Sequence, residues 1–352
     1  MKKMLALLLA LVMVLSLAAC ASSQPAATDA AASTETAETT ETTEAAEPAA
    51  EESAEAPAES GKTYTVGVCQ LVQHEALDAA TQGFIDALKE ELGDAVTVDV
   101  QNASGDSVNC GTIVNGFVSK GVDLIMANAT PALTAAVSAT ADIPILGTSI
   151  TAYGVALDID DFNGTVGGNI SGTSDLADLQ AQAQMILDWF PETKTVGLLF
   201  CSAEPNSRYQ IDEVRKALEA QGVTCEEFAF TDSNDVSSVT QKAADFSDVV
   251  YIPTDNTAAS NTEAIANVLI PAGVPAICGE EGLCRGCGVA TLSISYYDLG
   301  VTTGKMAAKI LKGEADISTM PVEYTDATPK YNASVCEQLG ITPLDGYEAI
   351  EG

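Results

Sequence analysis

The chain has 352 residues, with 50 acidic and 15 basic side chains and a formal net charge of −35 at pH 7. So acidic a chain excludes nucleic acid and anionic lipid surfaces as natural partners and favours a life in solution outside the cell. With one histidine and a single Cys-x-x-Cys pair it offers no zinc constellation, and no cofactor is implied.

Lys2 and Lys3 precede an apolar run from Met4 to Leu17, which ends in Leu17-Ala18-Ala19-Cys20. This pattern reads as a bacterial export signal, and the run is too short for a convincing membrane span. Its ending resembles the lipobox of bacterial lipoproteins, which implies that Cys20 becomes the lipidated first residue of the mature chain. An ordinary signal peptide or an uncleaved anchor are the alternatives. A lipid holds a protein on a membrane without spanning it. Residues 21–62 follow as Ala, Thr, Glu, Ser and Pro, with ten acids and no base up to Gly61. A segment so poor in apolar groups cannot offset its ordering entropy and reads as a disordered, self-repelling tether.

From residue 63 onward 40 acids face 12 bases, and the length suits two domains. Thr65 to Cys69 reads as a strand. Glu75 to Leu92 reads as a helix with Leu77, Ala80, Phe84, Leu88 and Leu92 on one face. Val96, Val98 and Val100 alternate as a strand. A helix around Asn109 to Lys120, the strand Val122 to Ala127, a helix from Pro131 and the strand Ile143 to Leu146 complete the round. Continuous apolar strands between helices indicate a parallel sheet covered on both faces.

The plan then repeats, with strands at Val196 to Phe200, Thr224 to Phe230, Val249 to Ile252 and Val274 to Ile277 and helices between them. Val66-Gly67-Val68 matches Val196-Gly197-Leu198, and Asp123-Leu124-Ile125 matches Asp248-Val249-Val250. Repetition at this spacing predicts two Rossmann-like α/β lobes rather than a solenoid. Crossovers are expected near Ser171, Ser293 and Pro321, giving one lobe from residues 63–171 plus 296–321 and another from 172–295 plus 322–352. The glycine-rich segment Asn163 to Asp175 lacks the spacing of a phosphate loop and reads as a flexible crossover. Cys284 and Cys287 read as an ordinary pair in a loop, free or disulfide-bonded.

Several short segments together carry a resemblance. They are Gln73-His74-Glu75-Ala76-Leu77-Asp78, Ala129-Thr130-Pro131-Ala132, Gly168-Asn169-Ile170-Ser171-Gly172, Glu204-Pro205-Asn206-Ser207, Pro253-Thr254-Asp255-Asn256 and Tyr296-Tyr297-Asp298-Leu299-Gly300. In this order and spacing the chain resembles the substrate-binding lipoproteins of ABC transporters, in particular those for tryptophan, tyrosine or phenylalanine uptake. The resemblance implies a type I periplasmic-binding fold, a three-crossover hinge, a monomer without enzymatic activity, and an ABC permease with its ATPase as partner. Thr151-Ala152-Tyr153-Gly154 departs from the Thr-Asp-Pro of that family and leaves the pocket shape open. A nucleoside or sugar ligand, or a sensory role, is the alternative.

A free amino acid needs donors for its carboxylate and acceptors for its ammonium group. Strand-end turns that open into helices supply such donors, so Thr130, Asn206 and Ser207 are candidates for the carboxylate, Asp255 with Asn256 for the ammonium group, and Ser149 for a ligand contact. Each is equally the residue type that caps a helix. Gln73 and His74 follow the first strand, His74 as a cleft residue or a cap. Tyr153, Tyr209 and Tyr296 are candidate stacking partners for an aromatic ligand or tyrosines with satisfied hydroxyls. Arg208 reads as a carboxylate holder or a surface residue.

Overall fold

The computed structural model describes residues 61–351, so the export signal, Cys20 and the acidic tether lie outside the described residues. The first lobe alternates strands and helices: β1 (Tyr64–Gln70), α1 (Glu75–Leu92), β2 (Val96–Asn102), α2 (Ser107–Lys120), β3 (Leu124–Asn128), α3 (Thr130–Ala139), β4 (Ile145–Ile150), α4 (Tyr153–Ala156) and β5 (Ile170–Ser174). The second does the same. It contains α5 (Leu179–Trp189), β6 (Thr195–Cys201), α6 (Pro205–Glu219), β7 (Thr224–Phe230), α7 (Val236–Phe246), β8 (Val249–Ile252), α8 (Asn256–Ala259), α9 (Thr262–Ala272), β9 (Ala276–Cys278), α10 (Glu281–Cys287) and β10 (Ala290–Ser293). The chain then returns through α11 (Tyr296–Lys312) and β11 (Glu323–Tyr324) before ending in β12 (Thr328–Tyr331), α12 (Ala333–Leu339) and β13 (Glu348–Ala349).

The sheets run β2-β1-β3-β4-β5-β11 and β7-β6-β8-β9-β10-β12-β13. Both therefore share one doubly wound order, which is why the Val-Gly-Val and Val-Gly-Leu segments recur: each is the strand beside the switch point. All pairings are parallel except β10 with β12. Burial on both faces follows from the alternation of side chains. In β3, Leu124 and Met126 enter one core while Ile125 and Ala127 enter another. In β6, Val196, Leu198 and Phe200 point to one core and Leu199 and Cys201 to the other.

The changes of sheet fall a few residues later than expected. β5 stays paired with β4 to Ser174, and β11 pairs with β5, so the crossovers are residues 175–178, 294–295 and 325–327. The physical reason lies at Gly172. Its φ is +144°, and a Cβ there would stand 2.0 Å from the Gly147 carbonyl oxygen. The glycine lets β5 press against β4 rather than loosening a hinge, so the ladder continues past Ser171. Cys284 and Cys287 also depart from expectation: they lie within α10, buried and free, not in a loop.

Helix α11 lies along α1 on the first lobe, and the two meet backbone to backbone. A Cβ on Gly300 would stand 2.0 Å from the Ala80 carbonyl oxygen, and one on Gly83 2.1 Å from that of Tyr297. Ala76, Ala80, Tyr296 and Leu299 form a small core at the N-terminal ends of the pair. This seam points both helix starts at the carboxyl ends of the strands, where open α/β sheets collect ligands.

Candidate functional site

The turns after β1, β4, β5, β6, β8 and β9 converge between the lobes. His74, Leu77, Ser149, Thr151 and Tyr296 approach from the first lobe, Asp175 from the crossover, and Asn206, Thr254, Asp255, Asn256, Ala259 and Glu280 from the second. They enclose a cavity of about 10 Å³, room for roughly one water molecule. The lobes touch across it. His74 Nε2 is 3.2 Å from Asn256 Oδ1, and at the rim Arg285 Nη1 is 2.7 Å from Glu75 Oε1.

The second-lobe wall is built in advance by its own hydrogen bonds. Asp255 accepts from Cys201 N at 2.6 Å and from Ala258 N at 2.8 Å, capping α8 and tying it to β6. Glu204 accepts from the backbone and side chain of Asn256 at 3.1 and 2.7 Å, and from the backbone and hydroxyl of Thr257 at 2.9 and 2.8 Å. Asn206 donates to the Thr254 carbonyl at 3.1 Å. Asp255 thus commits one oxygen to the cap of α8 and the other to β6, which removes it as the first choice for an ammonium group. Burial, then the neighbouring Glu204, holds its carboxyl well above the ordinary range.

Two other acids face the cavity without a basic partner, since no lysine or arginine lines it. Glu280, directly after Cys278-Gly279 at the end of β9, caps α10 by accepting from Gly282 N at 2.7 Å and from Leu283 N. Burial pushes it up to about 7. Asp175, just past β5, accepts from the Tyr296 hydroxyl at 2.9 Å, and its other oxygen is buried without a hydrogen-bond partner. Burial raises its pKa as well. His74 moves the other way: burial lowers its pKa below the usual histidine value, so it is neutral at pH 7 and acts as a hydrogen-bonding group.

Three buried polar atoms on this cavity have no protein partner: Ser149 Oγ, Asp175 Oδ1 and Asn206 Oδ1. Ser149 is held at φ +55°, an uncommon conformation that costs on the order of 1 kcal/mol or more and concentrates at functional sites. A buried hydroxyl and two acceptors left unpaired cost free energy that an incoming polar ligand recovers.

Of the residues singled out from sequence, His74, Ser149, Asn206, Asp255, Asn256 and Tyr296 meet at this cavity. Four do not. Gln73 is exposed, and Thr130 and Ser207 are buried in the first turns of α3 and α6, away from the cavity lining. Tyr153 is a core residue whose hydroxyl lies 3.1 Å from the Gly147 carbonyl and 3.2 Å from that of Thr173. Arg208 pairs at 2.8 Å with both carboxylate oxygens of Glu227 on the surface of the second lobe. Glu280 and Asp175 escaped notice as site residues in the sequence, although each follows the end of a strand, the same signal that marked Asp255, while Thr151 lies in the segment that left the pocket shape open.

Two α/β lobes of one topology, closed on a buried polar cavity at their strand ends, define a solute-binding protein. The chain belongs to the ABC transporter substrate binding protein family, whose model matches residues 65–346. It has the type I periplasmic-binding fold and captures solute for an ABC transporter. It is 32% identical over 276 residues to a tyrosine-binding protein of Clostridioides difficile (strain R20291), covering 77% of this chain and 79% of that one. It also resembles an ABC domain from Streptococcus pneumoniae solved in complex with L-Trp, at 32% identity and TM-score 0.77, covering 82% of this chain and 100% of that one. A ligand-free, open substrate binding protein with adhesive properties from Clostridium difficile matches at 32% identity and TM-score 0.63, covering 82% of this chain and 99% of that one.

Proposed function

We propose that this protein captures a free aromatic amino acid between its lobes and presents it to an ABC permease and its ATPase at the outer face of the cytoplasmic membrane, held there by a lipid on Cys20. The observation that carries the ligand class is the trio of unpaired atoms. Ser149 Oγ can donate to a carboxylate, while Asp175 Oδ1 and Asn206 Oδ1 can accept from an ammonium group. Glu280 adds a further carboxyl group beside Tyr296, and the absence of a lining lysine or arginine disfavours an anionic ligand. The similarity to a tyrosine-binding protein and to a structure holding L-Trp supports an aromatic side chain.

The lobes are drawn together here. At equal identity the chain superposes better on the L-Trp complex than on the open, ligand-free relative, and the His74 to Asn256 contact joins the two walls. A cavity of about 10 Å³ admits no amino acid, so the ligand enters as the lobes part, and closure follows from contacts to both. The permease then reads the closed form.

A thermal-shift and calorimetric screen of L-tryptophan, L-tyrosine and L-phenylalanine against sugars and nucleosides tests the ligand class. The aromatic amino acids should raise the melting temperature in a concentration-dependent way; no response to any of the three overturns the reading. In cells, Cys20→Ala should release the chain from the membrane fraction, and retention would refute the anchor.

A further inference from the structure

Taken as far as the cavity lining allows, the acid arrangement says something about how the ligand is held. Asp175 and Glu280 both sit at the cavity, one on the crossover after β5 and the other on the turn after β9, with the ring of Tyr296 alongside. The groups facing them come from every packed element. They are Tyr296 from α11, His74 and Glu75 from the start of α1, Asp255 and Glu204 from the turns after β8 and β6, and the Cys278, Cys284 and Cys287 thiols from β9 and α10. None of these is a cation at neutral pH. The nearby bases are committed elsewhere, Arg285 to Glu75 and Glu281, and Lys330 to Glu281. Two buried carboxylates beside one another with no counter-ion are not both ionised at low cost.

We propose that the closed cavity carries a proton on its Asp175 and Glu280 carboxyl groups, and that the ligand's ammonium group replaces it, so that capture releases a proton to solvent. This rests on the reading of the ligand as a free amino acid. The exchange balances as written: a carboxylic acid and a protonated amine become a carboxylate bound to that ammonium group, and one proton leaves. Burial pushes Glu280 up to about 7 and moves Asp175 in the same direction, in keeping with two carboxyl groups that share one cavity without a counter-ion. The ligand is then selected for a positive charge and its affinity is tuned by pH.

Isothermal titration of the full chain with L-tryptophan, and separately with L-tyrosine, in buffers of different ionisation enthalpy counts the protons directly. Between about pH 5 and 7 the observed heat should vary with the buffer, reporting release of up to one proton per ligand, and affinity should rise by up to about tenfold per pH unit. Glu280→Gln and Asp175→Asn should each reduce that count and flatten the pH profile. The wild-type buffer dependence decides even where a variant folds poorly. Binding whose heat is the same in every buffer, or a proton count unchanged in both folded variants, overturns the proton exchange while leaving amino acid capture intact. Failure of every amino acid to bind overturns both readings.

Discussion

His74 and Asn256, 182 positions apart in the chain, meet at 3.2 Å across the cleft and so join one lobe's first turn to the other lobe's ligand wall. His74 is neutral and half-buried, so this is a hydrogen bond between two uncharged groups, and it exists only while the lobes are together. It favours the closed form without needing to touch the ligand.

Removing that contact should therefore weaken binding without greatly disturbing either lobe. His74→Ala and Asn256→Ala are each expected to raise Kd about 2- to 13-fold, the range of one net hydrogen bond. The Asn256 variant should lose slightly more, because Glu204 would also lose a partner. In a double-mutant cycle read by calorimetry, strict additivity would show that the two residues are not coupled.

The rim contact between Arg285 and Glu75 should matter much less. Both side chains are substantially exposed, at 37% and 50%, and pairs of this kind contribute about 0–1 kcal/mol. Glu75→Gln is expected to change Kd by less than about fivefold, with the difference disappearing in high salt. A large, salt-independent loss would place Glu75 in the binding machinery itself.

Asp255→Ala should act first on stability. The substitution strands two buried backbone donors, Cys201 N–H and Ala258 N–H, a loss of about 2–4 kcal/mol. Urea unfolding should register this before any effect on ligand. An intact unfolding midpoint combined with abolished binding would restore Asp255 as the direct partner of the ammonium group.

The pH dependence of the ligand-free protein follows from the same acids. Glu280 has a folded pKa of about 7 against an ordinary 4.5, so between those values the folded state binds more protons than the unfolded state. Stability must then fall as pH rises through that window, by on the order of 3 kcal/mol for such a group. Asp175 and Asp255 shift in the same direction and add to it. Asp99, Glu227 and Asp248 have lowered pKa values and act oppositely, losing their stabilisation as pH drops below the ordinary carboxylate range. Melting temperature should therefore peak near pH 5 and decline toward pH 8. Glu280→Gln should flatten the upper limb, and an unchanged decline would assign it to other groups.

Much of this fold was legible because its elements are long and periodic. The apolar face of α1 and the continuous β3 and β8 announced themselves, and the repeated valine-glycine strands revealed the shared topology. The crossovers fell a few residues off because the close approach of Gly172 to Gly147 and the two-residue strand β11 leave no period to read. In the site, strand-end polar residues were visible as a class, but their roles were not. Asp255 and Glu280 both follow strands and both cap helices; only sheet order shows that Glu280 and Asp175 lack a counter-ion. Tyr153 read as a ring for a ligand because nothing local reveals that Gly147 and Thr173 offer their carbonyls to its hydroxyl.

The glycine seam between α1 and α11 has a mechanical consequence. With no side chain separating Gly300 from Ala80 or Gly83 from Tyr297, neither helix can slide independently. His74, just ahead of α1, and Tyr296, the first residue of α11, therefore travel as one degree of freedom. The residue that latches to Asn256 and the hydroxyl that holds Asp175 are thus carried by one closely packed pair of helices.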